Sequence, residues 1–491
     1  MTTLAVAGAT PARQAATARP PRTVAPAPAR KVQYAPYDEV KGILAALNSA
    51  LPAEWKAAGR AQNDAAAAKA WEAWAKKRDA EIRTRLAQGD ADTLINLMLF
   101  GTSFTKQPRV TPDELFELAA SGPAAAGTPS PALLAKGATL RARAEDLVRA
   151  LAAPGRNERL QFGRRLVERL GMSLAGESGR AAARQYLLDN LRRVLREQAG
   201  YQQTLAAARQ LGNTSEEFAE RSKLYKQRGL SLDTSLKPDF ALHASLKEMK
   251  KRGLIAAGAA GSEIRRVAIV GPGLDFTDKD AGYDFYPPQT VQPFAVMDTL
   301  VRLGLARAEQ LEVVTLDISP RVNEHIAAMR ERARRGVGYV VQLPRDTKQA
   351  WKADLLEYWK KFGEQIGAAT TPAAAPAGSG VAMRAVRVRA GVARRVEAVD
   401  LNIVLQRMEL KPGEEFDLVI ATNVFVYYDT LEQCLALGNV ARMLRPGGFL
   451  LTNNALLELA GSKMKSVDYL TVVYSDREDD GDHIVWYRRE M

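Results

Sequence analysis

The stretch FDLVIATNVFVYYDTLEQCLALGNVARMLRPGGFLLTNN, Phe416 to Asn454, decides the fold. Phe416, Leu418, Val419, Ile420 and Ala421 form a near-continuous apolar run, the pattern of a strand covered on both faces. Leu431, Leu435, Leu437, Val440 and Leu444 then recur at helical spacing, and Arg442 and Arg445 precede the stop Pro446-Gly447-Gly448. Phe449, Leu450 and Leu451 begin another apolar strand. Strand, helix, strand is one half of a doubly wound α/β domain, in which ligands sit beyond the carboxyl ends of the strands. Thr422 and Asn423, just past the first strand, are therefore where chemistry is to be sought.

Working outward, the alternation of strands and helices extends from Arg265 to the C-terminus. The pattern predicts strands at Val267–Val270, Leu311–Leu316, Ala385–Arg389 or Val396–Val399, Phe416–Ala421, Phe449–Thr452, Leu470–Tyr474 and His483–Tyr487. The last two are separated only by a polar turn, so they are read as an antiparallel hairpin at the sheet edge. The fold expected for residues 264–491 is α/β: a doubly wound, mostly parallel, seven-stranded Rossmann-like sheet closed by that hairpin. Gly367 to Gly380, rich in Ala, Pro and Gly, reads as a flexible insertion.

The preceding chain has a different character. Residues 1–30 are Ala, Pro, Thr and Arg with few large apolar side chains, so a disordered tail is expected. Residues 31–250 read as an all-helical domain, with helix starts at Thr111-Pro112-Asp113-Glu114 and at Thr214 with Glu217. Ser121 to Thr139 and a turn near Gly212 interrupt it, and Leu97 to Val110 is unusually aromatic and polar for a connection.

Charge divides the chain in the same way. Residues 264–491 carry 29 Lys+Arg against 30 Asp+Glu, and residues 1–263 carry 40 against 26. A solvated surface on basic helices is the plainer account; an anionic partner such as nucleic acid is the less favoured one. One cysteine, Cys434, and three histidines, His243, His325 and His483, argue against a disulfide framework and against a Cys- or His-based metal site. No apolar run reaches membrane-spanning length, and Leu4 to Ala9 is too short for a signal peptide. A cytoplasmic location is expected, with export the alternative if translation starts upstream.

Val267-Ala-Ile-Val270 runs into Gly271-Pro272-Gly273, a turn whose glycines let backbone approach a nucleotide closely. The next strand, Leu311 to Asp317, ends in an acid able to accept both hydroxyls of a ribose. Together they point to an adenine nucleoside. The pieces VAIVGPG, TLDIS, FDLVIATNVFVYYD and LRPGGFLLTNN, in this order and with a closing hairpin, resemble the class I S-adenosylmethionine-dependent methyltransferases. LDISPRVNEHI, RRGVGYV and ATNVFVYYD are distantly similar to the chemotaxis receptor-glutamate methyltransferases. The resemblance covers residues 265–491.

The resemblance implies S-adenosylmethionine as cofactor and methyl transfer to a small molecule or a protein side chain. It implies cofactor contacts from Gly271, Pro272, Gly273, Asp275, Asp317, Ile318, Asp400, Leu401 and Asn423. Asp275 stands where the glycine pattern has a third glycine, and its carboxylate is expected either to face the cofactor's ammonium group or to weaken binding. The following stretch, Leu274 to Thr290, carries Tyr283, Phe285 and Tyr286 and reads equally as a lid that shapes the substrate pocket or as a surface ornament packed by its own aromatics. Asn423, Tyr427 and Tyr283 are the candidate catalytic residues. Two other readings compete. A nicotinamide-dependent oxidoreductase also uses a glycine turn and a ribose acid. A non-catalytic nucleoside- or anion-binding protein on a degenerate methyltransferase scaffold would make the basic helical half the working part.

Overall fold

A computed structural model describes residues 30–47, 51, 63–110, 114, 115, 117, 118, 131–211, 229, 230, 234–255, 263–277, 283–459, 461–477 and 480–491. Most of the predicted tail, the helix starts at Thr111 and Thr214 and the turn at Gly212 lie outside these residues.

In chain order, the first half carries strand β1 (Val32–Tyr34) and helices α1 (Tyr37–Ala46), α2 (Asp64–Phe100), α3 (Pro131–Ala152), α4 (Glu158–Arg169), α5 (Glu177–Leu211) and α6 (Leu236–Lys251). The second half opens with β2 (Arg266–Val270), α7 (Gln292–Arg302), β3 (Glu312–Asp317) and α8 (Pro320–Arg334). It continues with β4 (Tyr339–Asp346), α9 (Ala353–Lys361), β5 (Gly367–Thr370), β6 (Val381–Val388), α10 (Ala390–Ala393), β7 (Val396–Asp400) and β8 (Gln406–Met408). It ends with β9 (Phe416–Ala421), α11 (Thr430–Met443), β10 (Leu444–Thr452), β11 (Met464–Val473) and β12 (Gly481–Arg489).

Seven strands form one mixed sheet in the order β11-β12-β10-β9-β2-β3-β7. The five from β10 to β7 run parallel, and β12 pairs antiparallel with both β10 and β11. From β2 the chain winds outward through β3 to β7, then returns to the other side of β2 for β9 and β10. The order therefore reverses between β2 and β9, and the crevice at their carboxyl ends is the expected ligand position.

Side chains sort by strict alternation. Val267, Ile269, Val313, Leu418, Ile420 and Leu451 pack on one face with Phe240, Leu242 and Leu246 of α6. Ala268, Val270, Val314, Leu316, Val419, Ala421 and Leu450 pack on the other with α1, α11 and Trp71, Ala75 and Ile82 of α2. Helix α2, about 55 Å long at 1.5 Å per residue, then leaves the sheet. Its final turns, Leu94 to Phe100, are buried in a third cluster with α3, α4 and α5.

Three details differ from the sequence pattern. Both segments offered as the third strand are strands, but only β7 joins the main sheet. β6 instead pairs with β4 and β5 in a small antiparallel sheet. Hence Gly367, the start of the stretch read as flexible, begins a strand. β4 escapes periodicity because Pro344 interrupts it, and it is tolerated because β4 is an edge strand. Pro446-Gly447-Gly448, read as the turn that stops the helix, is an irregularity inside β10, where the register with β9 shifts between Leu444 and Phe449. Asp417 pins that foot, accepting from Arg445 Nε at 2.5 Å and from the amides of Arg265 and Arg266 at 2.7 and 3.0 Å.

Candidate functional site

The loops after β2, β3, β7 and β9 converge on one cavity of about 270 Å³. Gly271 and Gly273 both adopt left-handed backbone, at φ 62° and 64°, which turns the chain sharply off β2. A Cβ on Gly271 would lie 2.8 Å from Val424 Cγ2. Gly271→Ala is therefore expected to destabilise the protein by about 2 kcal/mol, read as a lower urea midpoint, and to weaken nucleoside binding with it.

Asp317 ends β3 and is 6% exposed. Its Oδ1 accepts from Ser319 N at 2.8 Å, and its carbonyl accepts from Asn323 Nδ2 at 2.9 Å. Burial pushes its carboxyl up to about 7. The Ser319 amide opposes that rise, Asp400 adds to it, and Arg321 opposes it. Leu401 N donates to Asp317 O at 3.2 Å, which brings the loop after β7 alongside. Asn423 follows β9 at φ 57°, a conformation Asn tolerates, and its amide donates to Asn453 Oδ1 at 2.9 Å. A short 3-10 turn, Phe425–Tyr427, then leads to α11, whose capping box pairs Asp429 with Glu432.

Gly271, Gly273, Asp317, Ile318, Leu401, Asn423 and Tyr427 all line the cavity. Four other predicted positions do not. Pro272 lies between the two lining glycines without lining the cavity itself. Asp400 turns outward, where Arg83 Nη2 donates to its Oδ1 at 2.7 Å. Asp275 is buried away from the cavity, with its Oδ2 accepting from Tyr286 Oη and Gln289 Nε2, both at 2.9 Å. Tyr283 is buried in a cluster with Tyr286, backed by Phe285, Val381 and Met383.

The described part of the stretch from Leu274 to Thr290 is packed by its own aromatics, the second of its two readings, and forms a clasp; its residues 278–282 lie outside the described residues. Asp284 accepts from the amides and hydroxyls of Thr102 and Ser103 in the loop after α2. Arg159 of α4 donates to the carbonyls of Phe276 and Tyr286. The Leu97–Val110 segment, with its unusual composition, is the other half of this clasp.

What covers the cavity comes from the helical half. Leu86 of α2, then Leu230, Thr234, Ser235 and Pro238 at the approach to α6, line it opposite the strand ends. Helix α2 is held there by Arg85 Nη1 donating to Tyr427 O at 3.1 Å, by Arg83, and by Arg78 donating twice to the buried Glu432. Gln292 at the start of α7 donates to Thr422 Oγ1 at 2.8 Å, and both line the wall. Thr277 Oγ1, also in the lining, is buried without a hydrogen-bond partner among the described residues. The helical residues carry no motif. Gln292 and Thr277 had one signal, their nearness in sequence to the glycine turn.

No family model and no curated protein matches the sequence. Among solved structures, the chain is similar to the N-methyltransferase NodS from Bradyrhizobium japonicum in complex with S-adenosyl-L-homocysteine. Identity is 11% and the TM-score 0.25, over 56% of this chain and 99% of that one. It is similar to a TehB-like S-adenosylmethionine-dependent methyltransferase from Corynebacterium glutamicum, with 11% identity and a TM-score of 0.22 over 51% and 99%. It is also similar to the glycopeptide N-methyltransferase MtfA complexed with S-adenosylmethionine, with 14% identity and a TM-score of 0.21 over 51% and 67%. No helix among the described residues is long and apolar enough to cross a membrane.

Proposed function

We propose that the chain is an S-adenosylmethionine-dependent methyltransferase, with the cofactor in the cavity at the carboxyl edge of β2, β3, β7 and β9. One observation carries this reading. Gly271, Gly273, Asp317, Leu401 and Asn423, from four loops far apart in sequence, line a single cavity at the topological switch point. The lining also suits a nucleoside chemically. A left-handed glycine turn lets backbone approach, one buried acid can accept hydroxyl donors, Leu401 and Ile403 offer an apolar wall, and the Thr277 hydroxyl lacks a partner among the described residues.

In this reading Asp317 and Ile318 hold the ribose, Leu401 the adenine, and the glycine turn with Asn423 the amino-acid end. The cofactor supplies a methyl group already activated on a sulfonium. The protein has then to align an acceptor and keep water out. Tyr427, at the cavity and fixed through its carbonyl by Arg85, is the side chain best placed to orient an acceptor, which is a small molecule or a protein side chain. Tyr283, enclosed in its aromatic cluster, has no part in it. The α2 and α6 segments serve as the water-excluding cover.

Calorimetric titration of the full chain with S-adenosylhomocysteine and, separately, with NAD tests this. Micromolar binding of the first and none of the second is expected. No S-adenosylhomocysteine binding at near-millimolar concentration overturns the reading, and preferential NAD binding replaces it with the oxidoreductase one.

A further inference from the structure

A second cavity, also about 270 Å³, lies beside α1 and α11 and shares no lining residue with the first. It is bounded by α1, by α11 and by the loop before β11, close to where β12 ends at Arg489. Its interior is apolar, with Val40 and Ile43 of α1 facing Leu435 of α11, and the helices can meet because position 438 is glycine. A Cβ there would lie 3.1 Å from Ile43 Cδ1.

Its charge is one-sided. Among the described residues, four basic side chains, Arg407, Arg442, Lys463 and Arg489, line it with a single acid, Glu39. Glu39 is already neutralised: the buried Arg407 grips it through two nitrogens, each at 2.7 Å, and Arg442 Nε approaches at 3.2 Å. Lys463 and Arg489 have no carboxylate partner among the described residues. Arg489 donates through one nitrogen to Leu444 O, and its buried Nε–H has no acceptor among the described residues. An acceptor oxygen entering the cavity would satisfy it. Lys463 is held at the rim in left-handed conformation, φ 54°, by Glu490 N donating to its carbonyl at 2.8 Å.

We propose that this cavity binds an amphipathic monocarboxylate, its two oxygens between Arg489 and Lys463 and its hydrocarbon body against Val40, Ile43 and Leu435. A planar two-oxygen head matches a guanidinium edge and an ammonium. The apolar interior rejects a fully hydrated anion such as free phosphate. The site is independent of the cofactor cavity and of the function proposed for it.

The probes are octanoate, 1-octanol and inorganic phosphate, titrated calorimetrically into the full chain. Octanoate is expected to bind at least tenfold more tightly than the other two. Lys463→Gln, at an exposed residue bonded to the fold through its backbone, is expected to weaken octanoate about fivefold with an unchanged melting temperature. Arg489→Gln is expected to weaken it more. Saturating S-adenosylhomocysteine is expected to leave octanoate binding unchanged. The proposal is overturned by absence of octanoate binding in the millimolar range or by octanol binding as tightly as octanoate. It is equally overturned by undiminished affinity in Lys463→Gln or by displacement of octanoate by S-adenosylhomocysteine.

Discussion

Asp317→Ala is expected to weaken S-adenosylhomocysteine binding by about a hundredfold. The loss corresponds to two hydrogen bonds to a charged acceptor, worth about 1.5 kcal/mol each at the low end. The more diagnostic result is a pH dependence. In the free protein burial holds this carboxyl at about 7, well above its ordinary 3.8. It is therefore mostly protonated at pH 6 and mostly ionised at pH 8. If the ribose hydroxyls need the ionised form, affinity rises about tenfold from pH 6 to pH 8. The stability term has the opposite sign. A native pKa raised above the unfolded one favours the fold below about pH 4, and that advantage is lost as pH climbs through 7. The free protein is thus expected to melt lower at pH 8 than at pH 5 to the extent that Asp317 governs it, while ligand rescues it best at pH 8. Asp317→Asn should flatten both profiles. An Asn variant that keeps the wild-type pH dependence of binding would remove Asp317 from the site.

How much of this was legible in the sequence depends on whether the signal was local. Phe416–Ala421 is a strand at the predicted bounds because five of its six residues are apolar and buried on both faces and declare themselves by composition alone. The glycine turn, Asp317 and Asn423, which line the cavity, lie at or just past recognisable strand ends; Leu401 was implied by the family resemblance, and Tyr427 stands close after Asn423. Asp400 is also at a strand end, yet its side chain faces away. The cause is Arg83, 317 positions earlier, and nothing near Asp400 announces it. Asp275 and Tyr283 were misread for a related reason. Polar and aromatic residues after a glycine turn suit a lid, and only the tertiary partners, Gln289 with Tyr286 and the small β4-β6-β5 sheet, show them to be packing groups. The covering residues of α2 and α6 were invisible because Leu, Thr, Ser and Pro at the end of a helical stretch carry no chemistry of their own. Burial patterns reveal a strand; they do not reveal what a distant helix lays over its end.

The second large effect is expected at Asp284, through stability rather than chemistry. Its carboxylate is 1% exposed and takes hydrogen bonds from Thr102 N at 2.9 Å, Thr102 Oγ1 at 3.0 Å, Ser103 N at 3.0 Å and Ser103 Oγ at 2.5 Å. The loop from α2 approaches closely because position 101 is glycine, where a Cβ would come within 2.9 Å of Asp284 Oδ2. Asp284→Ala removes the shared acceptor of four donors, although Thr102 and Ser103 are exposed and can turn to water. A loss of about 2 kcal/mol is expected, measured as a fall in the urea midpoint with little change in slope. Asp284→Asn keeps one acceptor oxygen but turns an NH2 toward the Thr102–Ser103 donors, so it should recover only part of the loss. This carboxylate joins the segment leaving the glycine turn to the core packed around the end of α2. The two halves of the chain should therefore loosen together, and S-adenosylhomocysteine, which binds on one side of the clasp and under the cover supplied by the other, should restore part of the lost stability. An Ala variant within about 0.5 kcal/mol of wild type, the range of an ordinary surface change, would show that the clasp does not hold the halves together.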